Sequence, residues 1–539
     1  MSRHLDQQVY RIGFGPQNAH EATTDAMGFK AYNLWRMQRI GLPVPPAFVL
    51  GTDFCRGYFA AHHKPPSDLR ALLATQIREL EAASGLGFGS SRKPLLVSVR
   101  SGASVSMPGM LETILDVGMN DATLRGMLRL TGNPRLAWDS YRRLIQSFAE
   151  VAHGCPSSAF ERALGAGVAA SGLRSARELD FQSLQALTHN YLQIFEELTG
   201  KRFPQDPLDQ LETAVIGVWT SWVADKAAAY RRLNGLADDL GTAVTVQRMV
   251  YGNAGGTSGA GVAFTRNPAT GEQSLYLDFM FNAQGEDVVS GRQSALDAQR
   301  LAEVLPQAHQ EILKVGHLLE HEFCDMQEFE FTIQDGELFV LQTRSGKRTS
   351  WAALRIVVEQ TEEGFISVKE ALKRAASLDL DRIERTHIGH ASGTRLLCKA
   401  VPAGIGVAVG EIVLDPARVA KVVAAGRPAI LVRENTSTAD IAGIAAAVGI
   451  LTAAGGRTSH AAVVARQLNK VCLVGCDALT VDLANRRCSI AGQWFGEGDP
   501  LCLDGLSGEV LVGVAQVETE RPVEYLAKLA QWRETPLTT

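Results

Sequence analysis

The chain of 539 residues lacks the features that direct a protein into a membrane, out of the cell or onto nucleic acid. No apolar run approaches the roughly 20 residues of a membrane span, and residues 1–5 do not open a secretory signal. Eight cysteines are scattered without a C-x-x-C pair, and no neighbouring cysteine or histidine completes a zinc site with Cys472 and Cys476. The net charge of -5 gives no footprint for a polyanion. We therefore expect a cytoplasmic protein with reduced cysteines and with no membrane or nucleic-acid partner.

What the chain does have is a hydrophobic content of 46%, which supports sizeable cores. Its length exceeds one ordinary core, so we expect about three domains. Residues 117–235 are mostly helical in pattern, with one helix predicted over 211–233, and residues 391–515 alternate apolar strands with helices. The tail from residue 517 reads as one charged helix. The pattern predicts a multidomain protein of the α/β and α+β classes.

The most informative stretch is residues 455–466, GGRTSHAAVVAR, which follows an apolar strand. Two glycines allow a tight turn, and Thr458 and Ser459 are good N-cap residues. His460 therefore stands at a helix start, where free N–H groups and the helix dipole favour an anion. A neutral imidazole is a nucleophile near pH 7, since its reference pKa is about 6.5. The pattern indicates a phosphohistidine, with a capping or packed histidine as the alternative.

Two basic residues in the first hundred stand where a phosphate could be bound. Lys30 lies at the start of a predicted helix, where the ammonium and the backbone could meet one anion; taken alone, it reads as a surface lysine. Arg100 ends an apolar strand and precedes the small-residue loop 101–110, SGASVSMPGM. Its planar fork of donors suits phosphoryl oxygens. An arginine at a sheet edge is the alternative.

Residues 242–268 predict a glycine-rich hairpin. A strand at 242–250 leads into the turn 251–261, YGNAGGTSGAG, and residues 262–268 read as the returning strand. This order fits neither a P-loop nor a Rossmann fingerprint, both of which need a helix after the loop. The backbone N–H groups of such a turn could still fold over phosphates.

A second hairpin is predicted at residues 326–344, with alternating strands around an Asp335-Gly336 turn. Glu328 and Glu330 share one face of their strand, as do Gln342 and Arg344 on the partner. Such a set could hold Mg²⁺, which prefers hard oxygen ligands and keeps phosphate ligands. A cross-strand ion pair on a wet face is the alternative.

These stretches resemble the phosphoenolpyruvate-utilising enzymes, most closely the pyruvate phosphate dikinase branch. The resemblance covers 455–466, continues through 470–476, and includes the strings around Lys30, Arg100, 251–291 and 326–348. It implies an ATP-grasp nucleotide-binding domain at 1–348 with a helical insertion at about 117–235. A helical linker at 349–390, a swivelling α/β phosphohistidine domain at 391–515 and a tail at 516–539 would follow.

The resemblance also implies roles for individual residues. His460 is the catalytic residue that becomes phosphorylated. Nucleotide phosphates are assigned to Lys30, Arg100, Gln342 and Arg344, and Mg²⁺ to Glu330 and Gln342. The resemblance leaves the role of Glu328 open. Thr458 matches a threonine whose phosphorylation regulates plant members, although an N-cap role is the simpler interpretation.

The activity implied is ATP-dependent phosphorylation of His460, with transfer of the β-phosphoryl group, release of AMP and conversion of inorganic phosphate to pyrophosphate. ATP, Mg²⁺ and inorganic phosphate are the expected ligands. The strings around 284–287 and 342–348 resemble the dikinase more than the phosphoenolpyruvate synthase branch, which favours phosphate over water as the second acceptor.

The family's (β/α)₈ barrel takes about 250 residues, and residues 516–539 cannot supply it. We therefore expect an acceptor such as pyruvate to be bound by a separate barrel-type protein, and a homodimer is compatible with this. Two alternatives stay open: a kinase for another small molecule, such as an antibiotic, and a phosphohistidine carrier or regulator without turnover.

Overall fold

The computed structural model describes the chain in nine ranges: 9–15, 22–105, 107, 112–173, 176–289, 298–389, 393–437, 440–457 and 459–534. Thr458 and most of the loop 106–111 lie outside them. The chain divides into two compact units, one of residues 1–255 and 339–342 and one of residues 256–338 and 343–539. No helix within the described ranges is both long and apolar enough to cross a membrane. The domain boundaries predicted at 348, 390 and 515 stay predictions.

The first unit is built on an antiparallel sheet and a large set of helices. Its strands are β1 (Val9–Ile12), β2 (Ala47–Leu50), β3 (Gly87–Phe88), β4 (Pro94–Leu95), β5 (Val97–Gly102), β6 (Thr113–Val117) and β7 (Ala243–Arg248). Its helices are α1 (Thr24–Met27), α2 (Phe29–Arg39), α3 (Thr52–Ala60), α4 (Leu69–Ser84), α5 (Asp121–Thr131), α6 (Pro134–His153), α7 (Ser158–Ala170), α8 (Phe181–Thr199), α9 (Pro207–Ser221) and α10 (Asp225–Leu233). Five strands form the main sheet in the order β1-β2-β7-β5-β6, with every neighbouring pair antiparallel.

The single helix predicted over residues 211–233 is wrong, because the structure ends α9 at Ser221 and starts α10 at Asp225. The break is stabilised by Arg231, whose Nη1 donates a hydrogen bond of 2.6 Å to the carbonyl of Trp222. The guanidinium also stacks on the Trp222 ring at 4.2 Å. A carbonyl bound in this way no longer has to accept from the next helical turn.

The second unit contains two larger sheets and several smaller elements. Its strands are β8 (Gly259–Phe264), β9 (Tyr276–Phe281), β10 (Gln327–Gln334), β11 (Glu337–Ser345), β12 (Arg385–Ile388), β13 (Gly393–Lys399), β14 (Val401–Gly404), β15 (Val407–Val413), β16 (Ala429–Arg433), β17 (Gly449–Thr452), β18 (Val471–Val474), β19 (Leu479–Asp482), β20 (Arg487–Ile490), β21 (Gln493–Gly496), β22 (Pro500–Asp504), β23 (Glu509–Val514) and β24 (Val517–Glu520). Its helices are α11 (Gly285–Val289), α12 (Ala298–Val304), α13 (Pro306–Phe323), α14 (Ser350–Glu362), α15 (Val368–Ala375), α16 (Pro416–Ala424), α17 (Ile441–Ala446), α18 (His460–Gln467) and α19 (Val523–Glu534).

A four-stranded sheet in the order β11-β10-β8-β9 opens this unit. The predicted β10-β11 hairpin is confirmed. Its turn has positive φ at both central residues, 52° at Asp335 and 85° at Gly336, as the favoured two-residue hairpin turn requires.

The hairpin predicted over residues 242–268 is wrong. Strand β7 lies between β2 and β5 in the first sheet, so both of its edges are already paired. Strand β8 instead pairs with β9 and β10 in the second sheet. The glycine-rich segment between β7 and β8 therefore connects two sheets and does not reverse the chain within one.

An eight-stranded sheet follows in the order β13-β23-β22-β15-β16-β17-β18-β14. Its central strands β15 to β18 are parallel neighbours in chain order, connected in turn by α16, α17 and α18. These helices pack on one face of the sheet through an apolar cluster that includes Val419, Ile444 and Ala462. The small sheet β19-β20-β21 covers the other face. Residues 393–514 thus form an α/β sandwich of three layers.

The tail predicted as one charged helix begins instead with strand β24, which pairs with β12 before α19 starts. Polar partners face each other across this ladder: Arg385 pairs with Glu520 at 2.8 Å, and Nε2 of His387 lies 3.2 Å from Glu518. Such cross-strand pairs favour a strand that local composition alone does not predict.

A fully buried guanidinium ties together three parts of the second unit. Arg266, just after β8, contacts Glu320 on α13 at 2.5 Å, Glu359 on α14 at 2.7 Å and Glu363 at 2.6 Å. The Arg266 side chain is 0% exposed and that of Glu320 only 5%. Removing the cation would leave a carboxylate buried without its counter-charge, which is costly.

We expect Arg266→Ala to lower the free energy of unfolding by about 3–5 kcal/mol, the usual cost of breaking a buried ion pair. Urea denaturation of the two chains measures it. Arg382→Ala is the matched control in the same unit, since Arg382 is 88% exposed and lies 3.5 Å from Asp379. An exposed pair contributes about 0–1 kcal/mol. Equal effects of the two substitutions would contradict the role given to Arg266.

Candidate functional site

His460 is the first residue of α18, with Ser459 as the N-cap. It follows strand β17, and Thr436 follows the parallel neighbour β16. Both residues therefore lie at the carboxyl edge of the parallel strands, where α/β proteins bind ligands. The Thr436 hydroxyl is 3.4 Å from Nδ1 of His460. The imidazole is half-buried and not sealed in the core.

The turn before His460 packs against strand β9 of the four-stranded sheet. A Cβ atom built on Gly456 would lie 2.7 Å from Oδ2 of Asp278, which is closer than real Cβ contacts. The Arg457 guanidinium stacks on the Tyr276 ring at 4.4 Å, and its Nη1 lies 3.4 Å from the carbonyl of Leu277. The Tyr276 hydroxyl donates to the carbonyl of Pro402 at 2.7 Å. Glycine at 456 is thus required by the close approach of the turn to β9.

The contact between the turn and β9 is buried, and this burial affects the pKa of Tyr276. The pKa of Tyr276 is raised to about 12 by burial, against the lowering effect of Arg457 and Arg466. Arg466, which is 1% exposed, faces the Phe264 ring on β8 at 5.4 Å. Two cations of the His460-bearing segment therefore lie over aromatic rings of the four-stranded sheet.

The register of this sheet connects the His460 turn to the predicted metal site. Asp278 on β9 pairs with Val262 on β8, and Val262 pairs with Glu330 on β10. Directly paired residues share a face of a sheet, so Asp278 and Glu330 lie on the same face. They are two strands apart, about 10 Å. The turn that carries His460 therefore packs on the sheet face that carries Glu330.

Glu328 and Arg344 form an ion pair on the β10-β11 hairpin, at 2.5 Å between Oε1 and Nη2. Burial acts to lower the pKa of Arg344, but its hydrogen bond to Glu328 and the charges of Glu328 and Glu330 outweigh this and raise the pKa. Gln342 precedes Arg344 by two residues on β11, so their side chains project to the same side of the strand. Glu330 is half-buried. The cross-strand pair expected as an alternative thus exists, and it uses Glu328.

Across the described ranges, no group of three or more histidine, cysteine and acidic side chains could hold a metal ion by itself. Of the carboxylates on the hairpin, Glu328 and Glu330 share one face of β10. Mg²⁺ is commonly held by one or two carboxylates together with substrate phosphates. The donor set fits a metal that arrives with a nucleotide.

Lys30 and Arg100 belong to the first unit, on elements that the structure brings together. Lys30 is exposed in the first turn of α2, and Arg100 lies on β5. A Cβ on Gly28 would lie 2.1 Å from the carbonyl oxygen of Gly102, so the start of α2 abuts the end of β5. The backbone N–H of Phe29 donates to the carbonyl of Ala103 at 2.8 Å.

Sequence reasoning missed Thr436, Asp278 and Arg457. Asp278 had a usable signal, since it is the one charged residue in the otherwise apolar strand β9. Thr436 had none, because nothing local relates it to a histidine 24 residues later. Thr458, the predicted regulatory residue, lies outside the described residues, and its role stays a prediction.

Two family models match the chain: the pyruvate phosphate dikinase AMP/ATP-binding domain over residues 61–295 and the mobile domain of the PEP-utilising enzymes over residues 426–508. A pyruvate, phosphate dikinase of Rhizobium meliloti (strain 1021) is 41% identical over 539 residues, which is 98% of this chain and 60% of the relative. That of Clostridium symbiosum is 40% identical over 507 residues, 94% of this chain and 58% of the relative. Pyruvate, phosphate dikinase 2 of Zea mays is 40% identical over 509 residues, with the same two shares, 94% and 58%.

The chain thus carries one segment similar to a nucleotide-binding domain and another similar to the mobile domain of the PEP-utilising enzymes. These three relatives are pyruvate, phosphate dikinases, and the similarity to them runs along 94–98% of this chain. The chain spans 58–60% of the length of these three relatives.

We expect Gly456→Ala to loosen the turn from β9, because the added methyl group would overlap the Asp278 carboxylate. Overpacking costs about 1–3 kcal/mol, so amide hydrogen exchange at residues 455–459 and 276–278 should become about tenfold faster. Gly496→Ala is the control in the same unit, since its Cβ would lie at an ordinary 3.8 Å from Asp499. If the amide hydrogen exchange of Gly456→Ala equals that of wild type, the turn does not pack against Asp278.

Proposed function

We propose that the chain is an ATP-dependent phosphotransferase, built on an ATP-grasp nucleotide domain, that phosphorylates itself on His460. The observation that carries this proposal is the row Asp278-Val262-Glu330, by which the His460 turn and the carboxylate for Mg²⁺ share one sheet face. A histidine that only capped a helix would not need this approach. The family matches support the same chemistry.

The nucleotide would be held by charge complementarity. Lys30, Arg100 and Arg344 would bind its phosphates, and Glu330 with Gln342 would hold Mg²⁺. When bound, the ion neutralises charge on the triphosphate. Glu328 acts through Arg344, since their contact holds the guanidinium on the hairpin face.

Thr436 selects the nucleophilic nitrogen of His460. Its hydroxyl lies beside Nδ1, which leaves Nε2 on the other side of the ring. With the proton on Nδ1, Nε2 carries the free electron pair. As Nε2 forms its bond to phosphorus, positive charge grows on the ring, and the Nδ1–H donated to Thr436 stabilises it.

We propose that the phosphoryl transfers occur in two steps. Nε2 of His460 attacks the β-phosphorus of ATP, the bond from this phosphorus to the bridging oxygen breaks, and AMP leaves with that oxygen. His460 then carries the β- and γ-phosphoryl groups together. An oxygen of inorganic phosphate attacks the γ-phosphorus, the bond from this phosphorus to the β–γ bridging oxygen breaks, and pyrophosphate leaves. His460 retains the β-phosphoryl group.

The names of the relatives add pyruvate to this scheme. We propose that the enolate oxygen of pyruvate takes the phosphoryl group from His460, after the α/β domain at 391–515 has swivelled away from the nucleotide domain at 1–348. Supply of the pyruvate site by a separate protein, and a cytoplasmic location, stay predictions.

We expect ATP labelled in the β-phosphate to label the protein in an acid-labile, alkali-stable form, with AMP as product. His460→Asn should abolish the label while ATP still binds, because the substitution removes the nucleophile and leaves the phosphate ligands in place. Radiolabel counting and calorimetry measure the two effects.

Label retained from the γ-position, with ADP as product, would contradict the dikinase assignment and favour an ordinary kinase. Stable label without release of pyrophosphate on addition of phosphate would favour a carrier.

Glu330→Gln removes the charge of the predicted metal ligand. We expect the Mg²⁺ concentration needed for half-maximal labelling to rise about tenfold or more, since loss of a ligand charge weakens binding of a hard cation. Glu337→Gln, an exposed position on the same hairpin, should leave it unchanged. Equal Mg²⁺ requirements in the two variants would exclude Glu330 as a ligand.

A further inference from the structure

Asn133 connects a helix start to the glycine-rich turn that follows β7. It is the N-cap of α6, and its Oδ1 accepts a hydrogen bond of 3.0 Å from the N–H of Leu136. The other end of the same amide, Nδ2, faces two carbonyl oxygens of the turn, Asn253 at 3.3 Å and Ala254 at 3.4 Å. One side chain thus caps a helix and holds a loop 120 residues away.

The cap settles which way the amide is turned. Only oxygen can accept from the Leu136 N–H, so the nitrogen must face the turn. An amide nitrogen carries two hydrogens, one for each carbonyl. A carboxylate at this position would cap the helix as well but would have nothing to donate.

The two carbonyls that Asn133 holds determine where the next two N–H groups point. In a planar trans peptide the C=O and the following N–H point in opposite directions. The carbonyls of Asn253 and Ala254 face Asn133, so the N–H groups of Ala254 and Gly255 face away from it. Successive backbone N–H groups aimed to one side are a common device for binding anions.

The start of the turn is held separately. The Tyr251 hydroxyl donates to Oδ1 of Asp116 at 3.0 Å, and Asp116 is fully buried on β6. With Tyr251 fixed to the sheet and two carbonyls fixed to α6, the orientation of the peptide planes at 253–255 depends on Asn133.

We propose that Asn133 is a positioning residue for ATP: it orients the glycine-rich turn so that the N–H groups of Ala254 and Gly255 are presented to the nucleotide phosphates. Asn133 acts through the turn and does not itself touch the nucleotide. The inference rests on the proposed function, since it takes ATP as the ligand of this turn.

Asn133→Asp is the informative substitution. It retains the acceptor for the helix and replaces the donor with an oxygen that would face two carbonyl oxygens. The matched control is Asn120→Asp. Asn120 caps α5 with Oδ1 and donates from Nδ2 to the carbonyl of Gln205 at 2.7 Å, within the helical region. Both variants lose an amide donor beneath a helix cap, and only one of them loses contact with the turn.

Three measurements are made on the full-length chain. Titration calorimetry with Mg²⁺-ATP is done in the His460→Asn background, where no phosphoryl transfer intervenes. Amide hydrogen exchange is followed at residues 251–256. His460 labelling is followed as a function of ATP concentration. This gives two separate quantities, the ATP concentration at half-saturation and the final extent of labelling at saturating ATP.

We expect Asn133→Asp to weaken ATP binding about tenfold, which corresponds to about 1.4 kcal/mol, and to speed exchange in the turn. Half-saturation for labelling should rise by the same factor, while the final extent at saturating ATP stays that of wild type. Asn120→Asp should match wild type in all three measurements.

Wild-type exchange in the turn, or equal loss of ATP affinity in Asn120→Asp, would overturn the inference. Failure of the wild-type chain to label His460 would overturn the proposed function alone, because exchange and ATP affinity would still report on Asn133.

Discussion

The close approach of Gly456 to Asp278 is the contact on which the account of the site depends. With Asp278 in place no side chain fits at 456, since its first carbon would already overlap the carboxylate. Strand register relates this contact to Glu330, because Asp278, Val262 and Glu330 form one row across three strands. Hydrogen-bonded strands cannot slip without moving every side chain to the other face. Backbone pairing therefore fixes Asp278 relative to Glu330, and the contact of Gly456 with Asp278 places the histidine turn on the same sheet face.

Different structural rules position the two chemical partners on this face. His460 and Thr436 meet because parallel neighbours β16 and β17 end at the same edge of the sheet. The acidic hairpin follows from an antiparallel pair and a turn with two positive φ angles, which holds Glu328 and Arg344 opposite each other. An α/β sheet thus presents the proposed nucleophile at a helix start, where N–H groups favour an anion, and an antiparallel sheet presents the proposed ligands of a cation.

Local sequence patterns correctly predicted the elements that depend on residues close together in the chain. The β10-β11 hairpin followed from alternation and Asp335-Gly336, and the helix start at His460 followed from N-cap residues and glycines. Pairing between distant segments was not predictable in this way. The hairpin expected over 242–268 failed because β2 and β5 already occupy both edges of β7. The role of Asp278 depends on a turn 178 residues later, and no local pattern contains that relation.

Cross-linking the contact tests the central claim most directly. In a chain carrying Gly456→Cys and Asp278→Cys, oxidation should join the turn to β9, and mass spectrometry measures the yield. If phosphoryl transfer from ATP occurs on this face, the cross-linked protein should still take up β-label on His460 at a rate close to that of its reduced form. Loss of labelling on cross-linking, restored by reduction, would show that the histidine must leave this face to be phosphorylated and would contradict the account.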